Sequence, residues 1–162
     1  MSWRDHKYSR PAWIAVYQQL RYARYGRGPD GYDCHGFLRH VYACELGIDI
    51  PPLSMDEADV GSFDAARGVI EAQGDVWQPV AVGAPAGLPL ADAALTQALR
   101  RAAPFDLLLL DPIAEAMHCG IYIGGAEFLH MMIGASGHVS SVHNPYWRGH
   151  LLGIWRPRGR SA

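Results

Sequence analysis

The sequence predicts an α+β fold in which helices come first and a meander of antiparallel strands follows. In the first third of the chain apolar side chains recur at helical spacing, whereas the last third consists of short apolar runs separated by turn residues. The pair Gly124-Gly125 between two such runs is typical of a β-hairpin. With 162 residues the chain can form one core of ordinary size, so we expect a single domain over 1–162 with an insertion at about 54–104.

Two helices are predicted before the insertion. The first covers residues 11–25, which begin with a proline suited to a first helical turn. The second runs from Cys34 to about Leu46 and carries an apolar stripe on one face. Asp33 is placed to cap its start and Gly47 to end it.

The insertion is rich in Gly, Ala and Pro, and we expect it to pack on the domain because it is too short for a good core of its own. Helices are predicted within it at about 62–73 and 91–102. The strands predicted after it are Phe105–Asp111, His118–Ile123, Glu127–Met132, Val139–His143 and His150–Trp155.

Composition excludes several classes of protein. Apolar residues make up 49% of the chain and charged residues 19%, which argues against disorder. The net charge of −2 gives no reason to expect a nucleic-acid partner. The polar N-terminus lacks the apolar run of a signal peptide, and no apolar run reaches the ~20 residues of a membrane span. Three widely spaced cysteines indicate free thiols and not a disulfide framework.

Cys34 is a candidate nucleophile because of its position at the start of the second helix. The unpaired N–H groups and the dipole of a helix N-terminus favour a thiolate, although the neighbouring negative charge of Asp33 opposes it. The alternative is a buried structural cysteine with no chemical role.

His118 and His130 are the candidate partners of that thiol. Side chains alternate along a strand, so the predicted hairpin brings the two histidines opposite or diagonal to each other on one face, within roughly 5–8 Å. A nucleophile, a base and a group that orients the base would then be present. The alternative is a pair of satisfied histidines on a half-exposed strand.

Zinc is a rival use for this set of side chains. The candidate ligands are Cys34, His35, His40, Cys44, His118 and Cys119. They lack a tight Cys-x-x-Cys pair or a helical histidine pair, and His118 and Cys119 point to opposite faces of one strand. We therefore expect no metal and no other cofactor.

Two segments resemble the NlpC family of papain-like cell-wall peptidases. GYDCHGFLRHVYACELGIDIP is similar to the segment around the family's nucleophile, and HCGIYIGGAEFLH is similar to its second block, in the same order. The resemblance covers roughly residues 10–53 and 105–157. It implies a papain-like fold, with the nucleophile at the start of a helix that packs on an antiparallel sheet.

The resemblance also implies roles for individual residues. Cys34 would be the nucleophile, His118 the base and His130 the residue that orients it. Tyr22, with Tyr25 as a nearby competitor, would line the site and bind the oxyanion. Asp33 and His35, on either side of the nucleophile, are assigned with Tyr22 to oxyanion and substrate binding.

Three positions depart from the family pattern. His35 stands where Ser or Trp is common, Cys119 replaces the usual Val, and Phe105 replaces a Gly that starts a strand. None of them removes a member of the proposed triad, and His35 would either crowd the cleft or contact the substrate.

The implied activity is cleavage of peptidoglycan stem peptides, after γ-D-glutamate. GRGPDGYDC and the ending PYWRGHLLGIWRP are most similar to family members encoded with phage tail genes, which implies tail proteins as partners and location in the virion tail. Two alternatives remain open at this stage. One is a tail-assembly module that docks a neighbour through the insertion and the aromatic side chains Tyr146, Trp147 and Trp155. The other is an intracellular cysteine amidase or acyltransferase.

Overall fold

A computed structural model of the chain describes residues 10–51, 63–83, 89–113 and 116–159. The predicted α+β class is confirmed within these residues. The helices are α1 Trp13–Tyr17, α2 Cys34–Leu46, α3 Phe63–Ala72, α4 Asp92–Arg101 and α5 Pro145–Arg148. The strands are β1 Trp77–Val82, β2 Leu107–Ile113, β3 Ala116–Gly124, β4 Glu127–Met131, β5 Gly137–Ser141 and β6 Leu151–Pro157.

The six strands form one antiparallel sheet in the order β1-β6-β2-β3-β4-β5. Helices cover both of its faces: α1, α2 and α3 contribute to one core cluster, and α4 and α5 to the other. Strand β2 shows why its sequence is apolar throughout. Leu107 and Leu109 point into the first core, while Leu108 and Leu110 point into the second, so the strand is buried on both faces.

Helix α2 begins and ends where the sequence predicts. The Asp33 carboxylate accepts a hydrogen bond of 2.7 Å from the Gly36 N–H, and Gly47 ends the helix in the left-handed conformation with φ 64°. The buried side of the helix packs against β3 and β4. Gly36 is required at the first turn because a Cβ there would overlap the backbone carbonyl oxygen of Gly26.

The prediction of a helix over 11–25 is wrong beyond Tyr17, where α1 ends. The backbone after α1 finds partners in a distant segment instead. The Gly137 N–H donates to the Leu20 carbonyl at 3.0 Å, and the Tyr22 N–H donates to the Ala135 carbonyl at 3.0 Å. These long-range bonds replace the i to i−4 bonds that a longer helix would make.

The insertion contributes more to the sheet than the sequence predicts. Helices α3 and α4 confirm the two expected helices, and residues 54–62 and 84–88 lie outside the described residues. Strand β1 is not predicted from the sequence, because Pro79 interrupts its apolar pattern. Proline is tolerated there because β1 is an edge strand with a register shift between Pro79 and Ala81.

The last third differs from prediction at element ends. Strand β2 begins two residues after Phe105, which has φ 70° and lies in a turn, and β5 and β6 are displaced by one or two residues. The hairpin turn lies at Gly125-Ala126, one residue later than expected, because Gly124 still pairs with Glu127. Helix α5, capped by Asn144, is a further element that the sequence does not predict. None of the described helices is long and apolar enough to cross a membrane.

Two glycine substitutions test this account of the α2 junction. Gly36→Ala is expected to lower the free energy of unfolding by about 1–3 kcal/mol, because the added methyl group would overlap backbone that cannot move cheaply. Gly68→Ala is the matched control, because Gly68 lies in a helix where an added Cβ would meet no atom within 4 Å. This substitution should raise the free energy of unfolding by about 0.5–1 kcal/mol. Urea unfolding of both variants provides the measurement. Equal effects at the two positions would contradict the close approach at Gly36.

Candidate active site

His118 and His130 meet on one face of the β3–β4 hairpin. Ile121 pairs with Leu129, which places the two histidines diagonally, and His118 Nε2 lies 2.8 Å from His130 Nδ1. Both rings are buried, with exposed fractions of 2% and 0%. The predicted diagonal contact is therefore confirmed, and a direct hydrogen bond joins the two rings.

Ser140 on β5 extends this pair by one more hydrogen bond. Its Oγ lies 2.9 Å from His130 Nε2, so both nitrogens of the His130 ring are engaged. Burial, reinforced by the charges of His118 and His138, holds the pKa of His130 far below its ordinary value. His130 is therefore neutral at physiological pH and carries a single ring proton. Sequence reasoning missed Ser140, because its role depends on the pairing of β5 with β4.

Aromatic side chains enclose the two histidines. Trp147 of α5 stacks on the His118 ring at a centroid distance of 5.8 Å and meets the His130 ring edge-on at 4.9 Å. Phe128 lies against His130 at 4.8 Å, in space left by the missing side chain of Gly120. Trp147 thus belongs to the site, and because it is buried it offers little surface to a neighbouring protein.

Cys34 occupies the first position of α2, as predicted, and is half-buried. Its pKa is lowered to about 5, first by a hydrogen bond from the Cys119 thiol and then by the neighbouring His118. Burial and the Asp33 carboxylate act in the opposite direction. The thiolate is thus the dominant form of Cys34 at neutral pH.

One arrangement of ring protons satisfies these contacts and leaves a nitrogen of His118 for Cys34. His118 Nδ1 has no hydrogen-bond partner in the described part of the chain, whereas Nε2 is occupied by His130. When the single proton of neutral His130 lies on Nε2, the ring donates to Ser140 Oγ and accepts at Nδ1 the hydrogen bond from His118 Nε2. His118 Nε2 must then carry a proton, which leaves Nδ1 as the nitrogen that can exchange a proton with Cys34.

Asp33 acts on the site through backbone and charge. Its carboxylate caps α2 and forms an ion pair with Arg27, a residue that the sequence did not single out. Arg27 also donates to the Gly26 carbonyl, which in turn accepts the Asp33 N–H at 3.0 Å. These bonds fix the segment that leads into Cys34.

His35 points away from the two histidines. It is buried and lines a cavity of about 30 Å³ between α2 and the sheet, together with Leu109 and Cys119. Burial and the nearby Arg27 lower the pKa of His35 to about 4, so the ring is neutral at pH 7. In this position the side chain packs beneath the helix.

Tyr22 and Tyr25 occupy different environments. Tyr22 is half-buried and packs against the first core, while its backbone bridges to Tyr32. Tyr25 has φ 58° and is 55% exposed, with the Arg24 guanidinium 5.1 Å from its ring centroid. Of the two, Tyr22 is the one held against the body of the domain.

His118 and Cys119 project from opposite faces of β3, as the strand alternation predicts. His118 contacts Trp147 of the second core, and Cys119 packs against the first core. The described residues contain no group of three or more His, Cys, Asp or Glu side chains arranged to hold a metal ion.

The low pKa of Cys34 can be measured through its alkylation. We expect the rate of iodoacetamide modification of Cys34 to reach half its plateau at about pH 5, in place of the ordinary value of 9.0. Cys119→Val should move this midpoint upward, because the thiolate loses the hydrogen-bond donor that stabilises it most. Peptide mapping separates Cys34 from the exposed Cys44, and Cys44→Ser is the control. A midpoint that Cys119→Val leaves unchanged would contradict the assigned cause.

The chain has curated relatives. The chain is 22% identical over 134 residues to the murein DD-endopeptidase MepS/murein LD-carboxypeptidase of Escherichia coli strain K12, covering 83% of this chain and 54% of that protein. Proteins of the same name from strains O6:H1 and O157:H7 match equally. The chain thus spans about half the length of these curated relatives.

Two solved structures show the same fold. The NLP/P60 family protein of Staphylococcus aureus, described as similar to lipoprotein, superposes with a TM-score of 0.56 at 20% identity, covering 88% of this chain and 38% of that one. The NlpC/P60 family protein of Bacillus cereus gives a TM-score of 0.52 at 20% identity, covering 91% and 41%. The sequence model of the NlpC/P60 family matches residues 19–156, which include α2 and the whole of the β3–β4 hairpin. The chain therefore belongs to the NlpC/P60 family.

Proposed function

We propose that this protein is a cysteine peptidase that hydrolyses peptidoglycan peptides with Cys34, His118 and His130. The observation that carries the proposal is the buried chain of hydrogen bonds from His118 through His130 to Ser140, beside a Cys34 thiol whose pKa His118 helps to lower. This is the nucleophile, base and orienting group that covalent acyl transfer requires. The curated relatives named as murein endopeptidases support the choice of substrate.

The first half of the reaction forms an acyl-enzyme. The Cys34 thiolate attacks the carbonyl carbon of the scissile amide, and the amide C–N bond breaks as the tetrahedral intermediate collapses. His118, protonated on both nitrogens, delivers the Nδ1 proton to the leaving amine. The products of this step are a free amine and a thioester on Cys34.

The second half releases the acyl group. Neutral His118 accepts a proton from water through Nδ1, and the resulting hydroxide attacks the thioester carbonyl. The C–S bond breaks, which returns Cys34 as thiolate and His118 as imidazolium. Throughout both halves His130 stays neutral, because its burial opposes protonation, and acts as the acceptor that keeps the His118 ring in position.

Oxyanion stabilisation is proposed to come from the start of α2. Backbone N–H groups of the first turn, including that of Cys34, point toward developing negative charge at the helix N-terminus. Tyr22 is proposed to add a phenolic donor, and its anchored position favours it over Tyr25. Asp33 supports this region by capping the helix, and His35 by packing beneath it.

For the bond cleaved, we propose the stem-peptide linkage after γ-D-glutamate, as the resemblance of the Cys34 and His118 segments implies. The names of the curated relatives specify DD-endopeptidase and LD-carboxypeptidase activities, which are different bonds of murein. Product masses distinguish the three cases.

Digestion of purified peptidoglycan, followed by mass spectrometry of the released peptides, tests the peptidase. We expect the native chain to release peptides that begin after γ-D-glutamate and Cys34→Ala to release none, because no other described residue takes its place as nucleophile. Release by both proteins would contradict the role of Cys34. Release of other peptides by the native chain alone would keep the peptidase and change the bond.

Two substitutions of His130 give this experiment a matched control. Asn places its Oδ1 acceptor where the Nδ1 of His130 lies, whereas Leu fills the space without an acceptor. His130→Leu is expected to lower kcat/KM by about a hundredfold or more and His130→Asn by clearly less. Equal losses in the two variants, with both folded, would remove the orienting role from His130.

We further propose that the protein acts in a phage or phage-like tail, where local wall hydrolysis accompanies penetration. Support comes from the segments GRGPDGYDC and PYWRGHLLGIWRP and their similarity to tail-associated family members. An alternative role as a docking module is weakened, because Trp147 and Trp155 are buried and only Tyr146, at 50% exposure, remains on the surface.

The tail assignment predicts that the protein is part of the particle. Particles purified from cells that carry this gene should contain the chain in a fixed ratio to known tail subunits, measured by quantitative mass spectrometry. The host's abundant soluble enzymes serve as the contamination control. Particles in which the chain is no more abundant than those enzymes would exclude the tail role and leave the peptidase proposal intact.

A further inference from the structure

Cys119 lies against Cys34 in a way that the hydrolytic mechanism does not require. Its thiol donates to the Cys34 carbonyl oxygen across 3.4 Å and also contributes most to the lowered pKa of the Cys34 thiol. Both residues are half-buried. A valine, the residue expected here from the resemblance, would pack against the same core without a thiol.

Cys119 and Cys34 lie on elements that pack against each other. The side chains come from the first turn of α2 and from β3, two elements that pack directly on each other. A disulfide needs the sulfurs about 2.05 Å apart and the Cα atoms within about 7 Å. The cavity of about 30 Å³ that Cys119 lines gives its side chain room to rotate.

We propose that Cys34 and Cys119 form a redox-active dithiol that hydroperoxides convert to an intramolecular disulfide. In the first step the Cys34 thiolate attacks the peroxide O–O bond, which yields Cys34 sulfenic acid and releases hydroxide, or alkoxide from an organic peroxide. In the second step the Cys119 thiol attacks the sulfenic sulfur, the S–O bond breaks, and water leaves. Cys34 and Cys119 each lose one electron overall, and the peroxide gains both.

The protonation states suit these two roles. Cys34 is the thiolate, the form that reacts with peroxides, because its pKa is lowered to about 5. Hydrogen bonding to Cys34 and burial raise the pKa of Cys119, so it remains a protonated donor until Cys34 has been oxidised. Oxidation of Cys34 removes the negative charge that opposes ionisation of Cys119.

The third cysteine cannot take the place of Cys119. Cys44 is exposed and lies ten residues further along α2, which is about 15 Å of helix. Its thiol is near His40, at 3.8 Å from the ring nitrogen Nδ1. Cys44 therefore serves as an internal control for nonspecific oxidation.

The disulfide would block the nucleophile, and a thiol reductant would restore it. That inhibition rests on the proposed function, whereas formation of the disulfide does not. The same molecule can therefore form the disulfide and still fail to cleave peptidoglycan, and the two results remain distinguishable.

Mass spectrometry of the intact chain treated with hydrogen peroxide tests the proposal. We expect a loss of two hydrogen atoms, a cross-linked peptide pair containing Cys34 and Cys119, and full reversal by dithiothreitol. Cys44→Ser should behave like the native chain. The proposal would be overturned if peroxide oxidised Cys34 of the native chain to sulfinic or sulfonic acid while Cys119 remained reduced.

Substitution of Cys119 provides the second arm. Cys119→Val and Cys119→Ser should both lose the cross-link, and peroxide should drive Cys34 irreversibly to sulfinic or sulfonic acid. Circular dichroism identifies a variant that fails to fold. If one of the two replacements does not fold, the other still tests the proposal. Reversible protection of Cys34 that persists in both folded variants would exclude Cys119 as the resolving thiol.

Discussion

The contact between the first turn of α2 and strand β3 is the constraint on which the rest of the site depends. The Asp33 carboxylate caps the helix, and Gly36 permits the Gly26 carbonyl to lie against that turn. These two local features set where the helix begins and how closely the preceding loop approaches it. The position of Cys34 relative to the sheet follows, because α2 has one buried face and its packing on β3 and β4 fixes the rotation of the helix about its axis.

Strand β3 then supplies two different groups that lower the pKa of Cys34. Alternation sends His118 to one face, where Trp147 covers it, and Cys119 to the other, where it packs on the first core. Both lower the pKa of Cys34, although they belong to separate clusters of the protein. The aromatic enclosure has a further effect, since it removes water from His130 and makes a neutral acceptor the stable state of that ring.

Sequence patterns predict those features whose causes are local. Helix α2 and its two caps follow from residues within a few positions of its ends, and the diagonal pair His118 and His130 follows from hairpin alternation around a glycine-rich turn. Features decided by distant partners escape such reasoning. Helix α1 stops early because its continuation bonds to a segment more than a hundred residues away, β1 exists because β6 offers it an edge, and Ser140 reaches His130 only through strand pairing. The departure at Cys119 is visible in the sequence, but its contact with Cys34 requires the packing of α2 on β3.

Stabilisation of the Cys34 thiolate and its proposed oxidation to a disulfide both depend on the nearby Cys119 thiol. A donor that stabilises the thiolate must approach the sulfur closely, and a thiol is the only common side-chain donor that can also become bonded to it. Replacing Cys119 with an apolar residue would remove the bond-forming partner and the stabilising donor together. Replacing it with serine would keep a donor but offer no sulfur. The choice of cysteine at this position therefore couples the reactivity of the proposed nucleophile to the redox state of its surroundings, since the hydrogen bond between the thiols and the disulfide between them are alternative states of one pair.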